Sequence, residues 1–159
     1  GSIAPSRSAG RHDAGVQSRA AQEALGGGGT PEEKEGRVIL ADTSVWIDHL
    51  NQGDGTMSAL LRARLILGHP FVFGEVALGS VRNRKTALAI LHDLPNAMVA
   101  KNEGVLQLIE DWALTGSGIG YTDAHLLASV LLTSGSRLWT RDRALRKVAR
   151  QLSLDAGLK

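Results

Sequence analysis

Apolar positions form short runs and helical stripes only from Arg37 onward. The segment RVILAD is a brief apolar run with β-branched residues that ends on an acid, which predicts a buried strand. Thr43 or Ser44 stands where it can cap a helix over 45–50, and 51–55 predicts a turn. Residues 56–67 are apolar at helical spacing (Met57, Leu60, Leu61, Leu65). Pro70 suits a first helical turn, and the stretch PFVFGEVALG predicts a helix behind it. A further helix over 84–94 carries Ala87, Leu88 and Leu91 on one face, and 97–100 reads as a strand. Helices follow over 103–114 (Val105, Leu108, Ile109, Trp112) and 121–133 (Ala124, Leu127, Ala128, Leu131 inward). The chain then predicts a strand over 137–140 and a helix over 142–151, with Leu145, Val148 and Ala149 on its apolar face. Strands alternating with helices predict an α/β sandwich around a mostly parallel sheet.

In such sheets functional groups collect beyond the carboxyl ends of the strands. Asp42 follows the first strand and Asp142 the last. Both also stand where a helix begins, so an N-cap alone accounts for either one. Asp123 opens the helix of TDAHLLASVLL, and capping is again an alternative. Glu75 differs: it lies in an apolar stretch whose helix offers no Lys or Arg to pair it, and an unpaired carboxylate is costly to bury. If all four lay at one end of the sheet they would repel one another, and a divalent cation would remove that penalty. All-oxygen ligands favour Mg²⁺ or Mn²⁺ over zinc.

Composition narrows the field. The 159 residues fit one ordinary domain plus an appendage, and the absence of cysteine excludes disulfides and thiolate metal sites and fits a reducing cytoplasm. No apolar run is long enough for a membrane span. The net charge is only +2, yet 137–150 hold six basic residues (Arg137, Arg141, Arg143, Arg146, Lys147, Arg150) against Asp142, which is either a polyanion contact or a solvated helix face. Aromatic residues make up 4% of the chain, so base stacking is not an evident strategy, and the three tryptophans read as core or dimer contacts. The histidines show no metal spacing, and His125 reads as a helix-surface residue or one facing the site.

Four blocks, ILADTSVWIDHL, FGEVALG, GIGYTDAHLLAS and RLWTRDRAL, resemble the motifs of PIN domains in the right order, with the VapC toxins as the nearest group. The resemblance spans about residues 37–154. It implies a three-layer α/β/α fold with a mostly parallel central sheet, and a Mg²⁺ or Mn²⁺ site. It also implies endoribonuclease activity by attack of metal-activated water on RNA. A VapB-like antitoxin and a homodimer are the partners it brings. By position, Asp42, Glu75, Asp123 and Asp142 match the family's acids, with Ser44 and Thr140 as supporting hydroxyls. Glu75 would help orient the attacking water. Arg141, Arg143, Arg146 and Lys147 are candidates for holding the RNA backbone.

Two other functions stand beside this one. A binding module that docks the antitoxin and represses an operon would have no need of the four acids. A haloacid-dehalogenase-like phosphatase would want an acid two residues after Asp42, where Ser44 stands. Residues 1–36, rich in Gly, Ser and Ala and containing four consecutive glycines, read as a flexible extension to a PIN domain at 37–159. That extension is a tag, a native segment with a short helix over 16–25, or a tethered antitoxin fragment offering Arg7, Arg11 and Arg19.

Overall fold

A three-stranded parallel sheet, in the order β2-β1-β3, organises the described part of the chain. The computed structural model describes residues 37–159, so the expectations for residues 1–36 lie outside it. The central strand β1 (Val38–Ala41) pairs with β2 (Ile66–Leu67) on one side and β3 (Ser136–Trp139) on the other. Leu40 sits opposite Leu138 in register, and both are fully buried. Each such side chain contributes about 1.5–3 kcal/mol by leaving water. β1 reads as a near-continuous apolar run because both faces of a parallel sheet are covered by helices.

Among the described residues seven helices pack around this sheet: α1 (Thr43–Gln52), α2 (Gly55–Arg62), α3 (Pro70–Leu78), α4 (Arg84–Asp93), α5 (Asn102–Asp111), α6 (Tyr121–Leu132) and α7 (Arg143–Gln151). α6 is the most enclosed, with every residue from Ala124 to Val130 buried. α7 is strongly two-faced, with Leu145, Val148 and Ala149 inward and its basic side chains around the rest.

Two expectations change. The helical pattern over 56–67 ends early: α2 stops at Arg62, Arg64 turns back at φ 59°, and Ile66–Leu67 become β2. Three apolar residues in a row suit either element, and pairing with Ile39 and Leu40 decides it. The strand expected at 97–100 reduces to one bridge, Asn96 to Gly68, which prolongs the β2 edge, while Ala97 and Ala100 still fill the core. A Cβ at Gly68 would stand 2.9 Å from Asn96 Oδ1, so any larger residue there would have to displace that side chain.

Candidate active site

Asp42 closes β1 and opens α1. Its backbone N–H donates to the Trp139 carbonyl at 2.9 Å, so the ends of β1 and β3 are tied at this residue. The side chain is the N-cap of α1, accepting from Val45 N–H at 3.3 Å; the expected caps, Thr43 and Ser44, do not fill that role. Ser44 instead donates its hydroxyl to Asp42 Oδ1, and Thr140 donates to Oδ2. Each hydroxyl also accepts one backbone N–H, Ser44 from Arg141 at 3.1 Å and Thr140 from Asp142 at 3.0 Å. Two loops that are 98 residues apart in sequence are thus pinned around one carboxylate. Asp42 is 5% exposed, and burial pushes its carboxyl above the usual range, against the pull of the two hydroxyls and the helix N–H groups.

Asp123, at the third position of α6, is half-buried and accepts the Gly120 N–H at 3.2 Å. Its carboxyl is pushed up first by burial and then by the negative charges of Asp42, Asp142 and Glu75. The charges of the other three expected acids, carried by β1, α3 and the β3–α7 loop, thus reach Asp123 on α6. Asp142 caps α7, accepting Leu145 N–H at 2.8 Å, and is exposed. Glu75 is exposed too, which removes the burial-cost argument for it: it borders the site from an open helix face.

Among the described residues no three acidic or histidine side chains stand close enough to cage an ion by themselves. The donors nevertheless fit a hydrated Mg²⁺ or Mn²⁺. Mg²⁺ keeps several waters and is held through one or two carboxylates. The carboxylates that add to the burial-driven rise of Asp123 set up a negative field there, which protonation or a bound cation would relieve.

The basic segment divides in two. Arg141 is bound into the fold: its guanidinium meets Asp48 at 2.9 Å and Asp54 at 2.5 Å, and lies 5.6 Å over the Trp139 ring. Asp54 is the N-cap of α2, and its carboxyl is held below the usual range first by the Met57 N–H and further by Arg141. Arg146 donates to the carbonyls of Thr140 at 2.7 Å and Leu158 at 2.9 Å. Both guanidiniums are therefore committed in part to holding the fold together, which the sequence reading did not anticipate. Their acceptors come from distant segments that local sequence does not reveal. Arg137 is buried in β3, and Arg150 pairs with Asp155 at 3.3 Å. Arg143 and Lys147 are exposed, one turn apart on α7 beside Asp142, and have no side-chain partner among the described residues.

Sequence reasoning missed a cluster of rings between α3 and α6. His125 is 2% exposed and lies between Phe71, at 4.6 Å, and Tyr121, at 4.9 Å between centroids. Its Nε2–H donates to Asn102 Oδ1 at 3.0 Å, and the Tyr121 hydroxyl donates to the same oxygen at 3.2 Å. Next to it, buried His69 caps α3: its Nδ1 accepts the Phe71 N–H at 3.1 Å, which leaves Nε2–H to donate to Ser129 Oγ at 2.9 Å. Burial, with the nearby His125, lowers His69 to about 4. The available signal was the four-residue spacing of Tyr121 and His125 on a helix.

Comparison with known proteins agrees with this geometry. A family model described as the PIN domain matches residues 39–151. Two relatives share 44% identity with the chain over 109 residues, covering 69% of this chain and 88% of theirs. Both are named Ribonuclease VapC32, from Mycobacterium tuberculosis strains CDC 1551 / Oshkosh and ATCC 25618 / H37Rv. No solved structure gives a significant match. The parallel sheet, the acids at its carboxyl end, the family match and the identity to these relatives together place the chain in the PIN-domain family, among its VapC-type ribonucleases.

Proposed function

We propose that the chain is the toxin of a toxin–antitoxin pair and cuts RNA phosphodiester bonds with Mg²⁺ or Mn²⁺ bound at Asp42, Asp123, Asp142 and Glu75. The observation that carries this is the placement of Asp42 and Asp142 beyond the carboxyl ends of the paired strands β1 and β3, joined through Thr140, whose hydroxyl donates to Asp42 and accepts the Asp142 N–H, with Asp123 within reach of both charges. Bound there, the cation supplies charge neutralisation and Lewis-acid stabilisation of the phosphoryl group in transfer.

The protein's own groups do the positioning. Ser44 and Thr140 fix both oxygens of Asp42, so its orientation costs nothing when substrate arrives. Asp123 is held by the Gly120 N–H at the start of α6, where the helix dipole favours its charge. Glu75, exposed at the rim, orients the attacking water. Arg143 and Lys147 hold the RNA backbone on the α7 side. A VapB-like antitoxin restrains the toxin in the cytoplasm, and the working form is a homodimer. Among the described residues no helix is long and apolar enough to cross a membrane.

The experiment is digestion of a total-RNA pool by the full chain with Mg²⁺, with Mn²⁺ and with EDTA, beside Asp42→Asn. Discrete fragments that require both metal and Asp42 are expected. An intact RNA pool with a folded, metal-loaded protein would reject the nuclease and leave the operon-repressing binding module.

A further inference from the structure

The chain has two phenylalanines and one tyrosine, and two of these three rings stand half outside the core. Phe71 is 36% and Tyr121 46% exposed. They flank His125, which Asn102 holds in place, so the two exposed rings belong to a braced wall and are not free to swing. The wall stands on the two helices that carry Glu75 and Asp123: Phe71 precedes Glu75 by one turn on the same face of α3, and Tyr121 opens α6 two residues before Asp123.

Resting on the ribonuclease reading above, we infer that this wall is a base-stacking subsite that holds an unpaired nucleobase beside the phosphodiester to be cut. Aromatic faces next to a phosphate-processing centre suit a base, because every base has a π-face and stacking is tolerant of sequence. A base inside a duplex already has both faces covered, so the substrate presents this nucleotide from a single-stranded loop or end. A protein partner fits less well. Two half-exposed rings offer on the order of 200 Å², against roughly 800 Å² per partner in a standard interface.

The test uses the full chain and a short single-stranded RNA carrying 2-aminopurine, whose fluorescence is quenched by stacking. Bound to Asp42→Asn, the probe should be quenched. Phe71→Leu and Tyr121→Leu in that background should abolish the quench and weaken binding roughly 5- to 150-fold. Phe71→Trp and Tyr121→Phe keep a ring and should retain both. With Asp42 intact, the leucine variants should raise KM and spare kcat, since a stacked base is held equally in ground and transition states. Quenching that survives in the leucine variants overturns the subsite. So does a Tyr121→Phe chain that fails alongside Tyr121→Leu, which assigns the effect to the hydroxyl's bond to Asn102 and not to stacking. Duplex RNA cut as readily as single strands overturns it as well, as do leucine variants that handle RNA normally but lose a protein partner. An unaltered chain that cuts no RNA at all sinks the ribonuclease reading itself, and the subsite with it.

Discussion

Thr140→Val deletes one hydroxyl and almost nothing else. The side chain is fully buried, its Oγ1 donates to Asp42 Oδ2 and it accepts the Asp142 N–H at 3.0 Å. Valine keeps the shape and removes both bonds. A hydrogen bond to a charged group contributes about 1.5–3 kcal/mol and a neutral one about 1 kcal/mol, and water cannot reach a fully buried atom to replace them. The expected loss is therefore roughly 2–4 kcal/mol, read from the denaturation midpoint at neutral pH. The substitution should also show in catalysis. Burial already holds the Asp42 carboxyl above its ordinary range, and Thr140 opposes that push. Without the hydroxyl the carboxyl rises further, so the acidic limb of the nuclease pH profile moves to higher pH. Thr140→Ser keeps the hydroxyl; its limb should stay in place, with only a methyl lost, about 0.8 kcal/mol. The reasoning is refuted by a valine variant within about 0.5 kcal/mol of the parent and with an unmoved limb.

Other perturbations read other parts of the site. The raised pKa of Asp42 means the fold favours its protonated form, a contribution present at low pH and lost as pH rises. Asp42→Asn, which can still cap α1, should therefore melt higher than the parent in EDTA at neutral pH while losing cleavage, and a lower Tm would show the hydroxyls overcompensating. His69 runs the opposite way. Its pKa is lowered from 6.5 to about 4, so the stability it contributes is full above 6.5 and drains as pH falls toward 4. At about 1.4 kcal/mol per pH unit, the total is about 3 kcal/mol. His69→Asn should flatten the stability curve across that window, and an unchanged slope would remove His69 as its source. Arg141→Met should cost about 1–3 kcal/mol in denaturation, because it strips the partner of Asp48 and Asp54. Arg143→Gln and Lys147→Gln should leave stability alone and lower the salt slope of RNA binding by about 0.7 for each lost phosphate contact. A slope unchanged in both would place the RNA elsewhere.

The places of the candidate acids in the fold were legible where they sit at a change of periodicity. Asp42 ends an apolar run, and Asp123 and Asp142 begin helical stripes, so backbone pattern alone put them at element junctions. Capping does not exclude a second role: Asp42 and Asp142 each cap a helix, and the charges of both also reach Asp123. Glu75 was chosen for a reason the structure withdraws, since an apolar neighbourhood in sequence does not say which face of α3 is covered. β2 was hidden inside a helical pattern because its two residues owe their conformation to strand pairing and not to their own preferences. Arg141 looked like a ligand for RNA because its partners Asp48 and Asp54 lie about 90 positions away, beyond any local pattern. The ring cluster was discounted because a low aromatic fraction says nothing about where the few rings gather.

The short sheet has consequences for how copies of this chain can meet. Its two outer strands are each closed by a single bridge, β2 prolonged at Gly68 by Asn96 and β3 by Asp155, whose neighbours exchange backbone bonds with Leu138 at 2.7 and 2.8 Å. Among the described residues these bridges cover part of each outer edge, which shortens the row of backbone groups left for another strand to pair with. The helices, by contrast, present whole apolar side chains to solvent, Leu78 on α3 at 91% and Leu106 on α5 at 55% exposed, so a second copy would find its apolar contacts there.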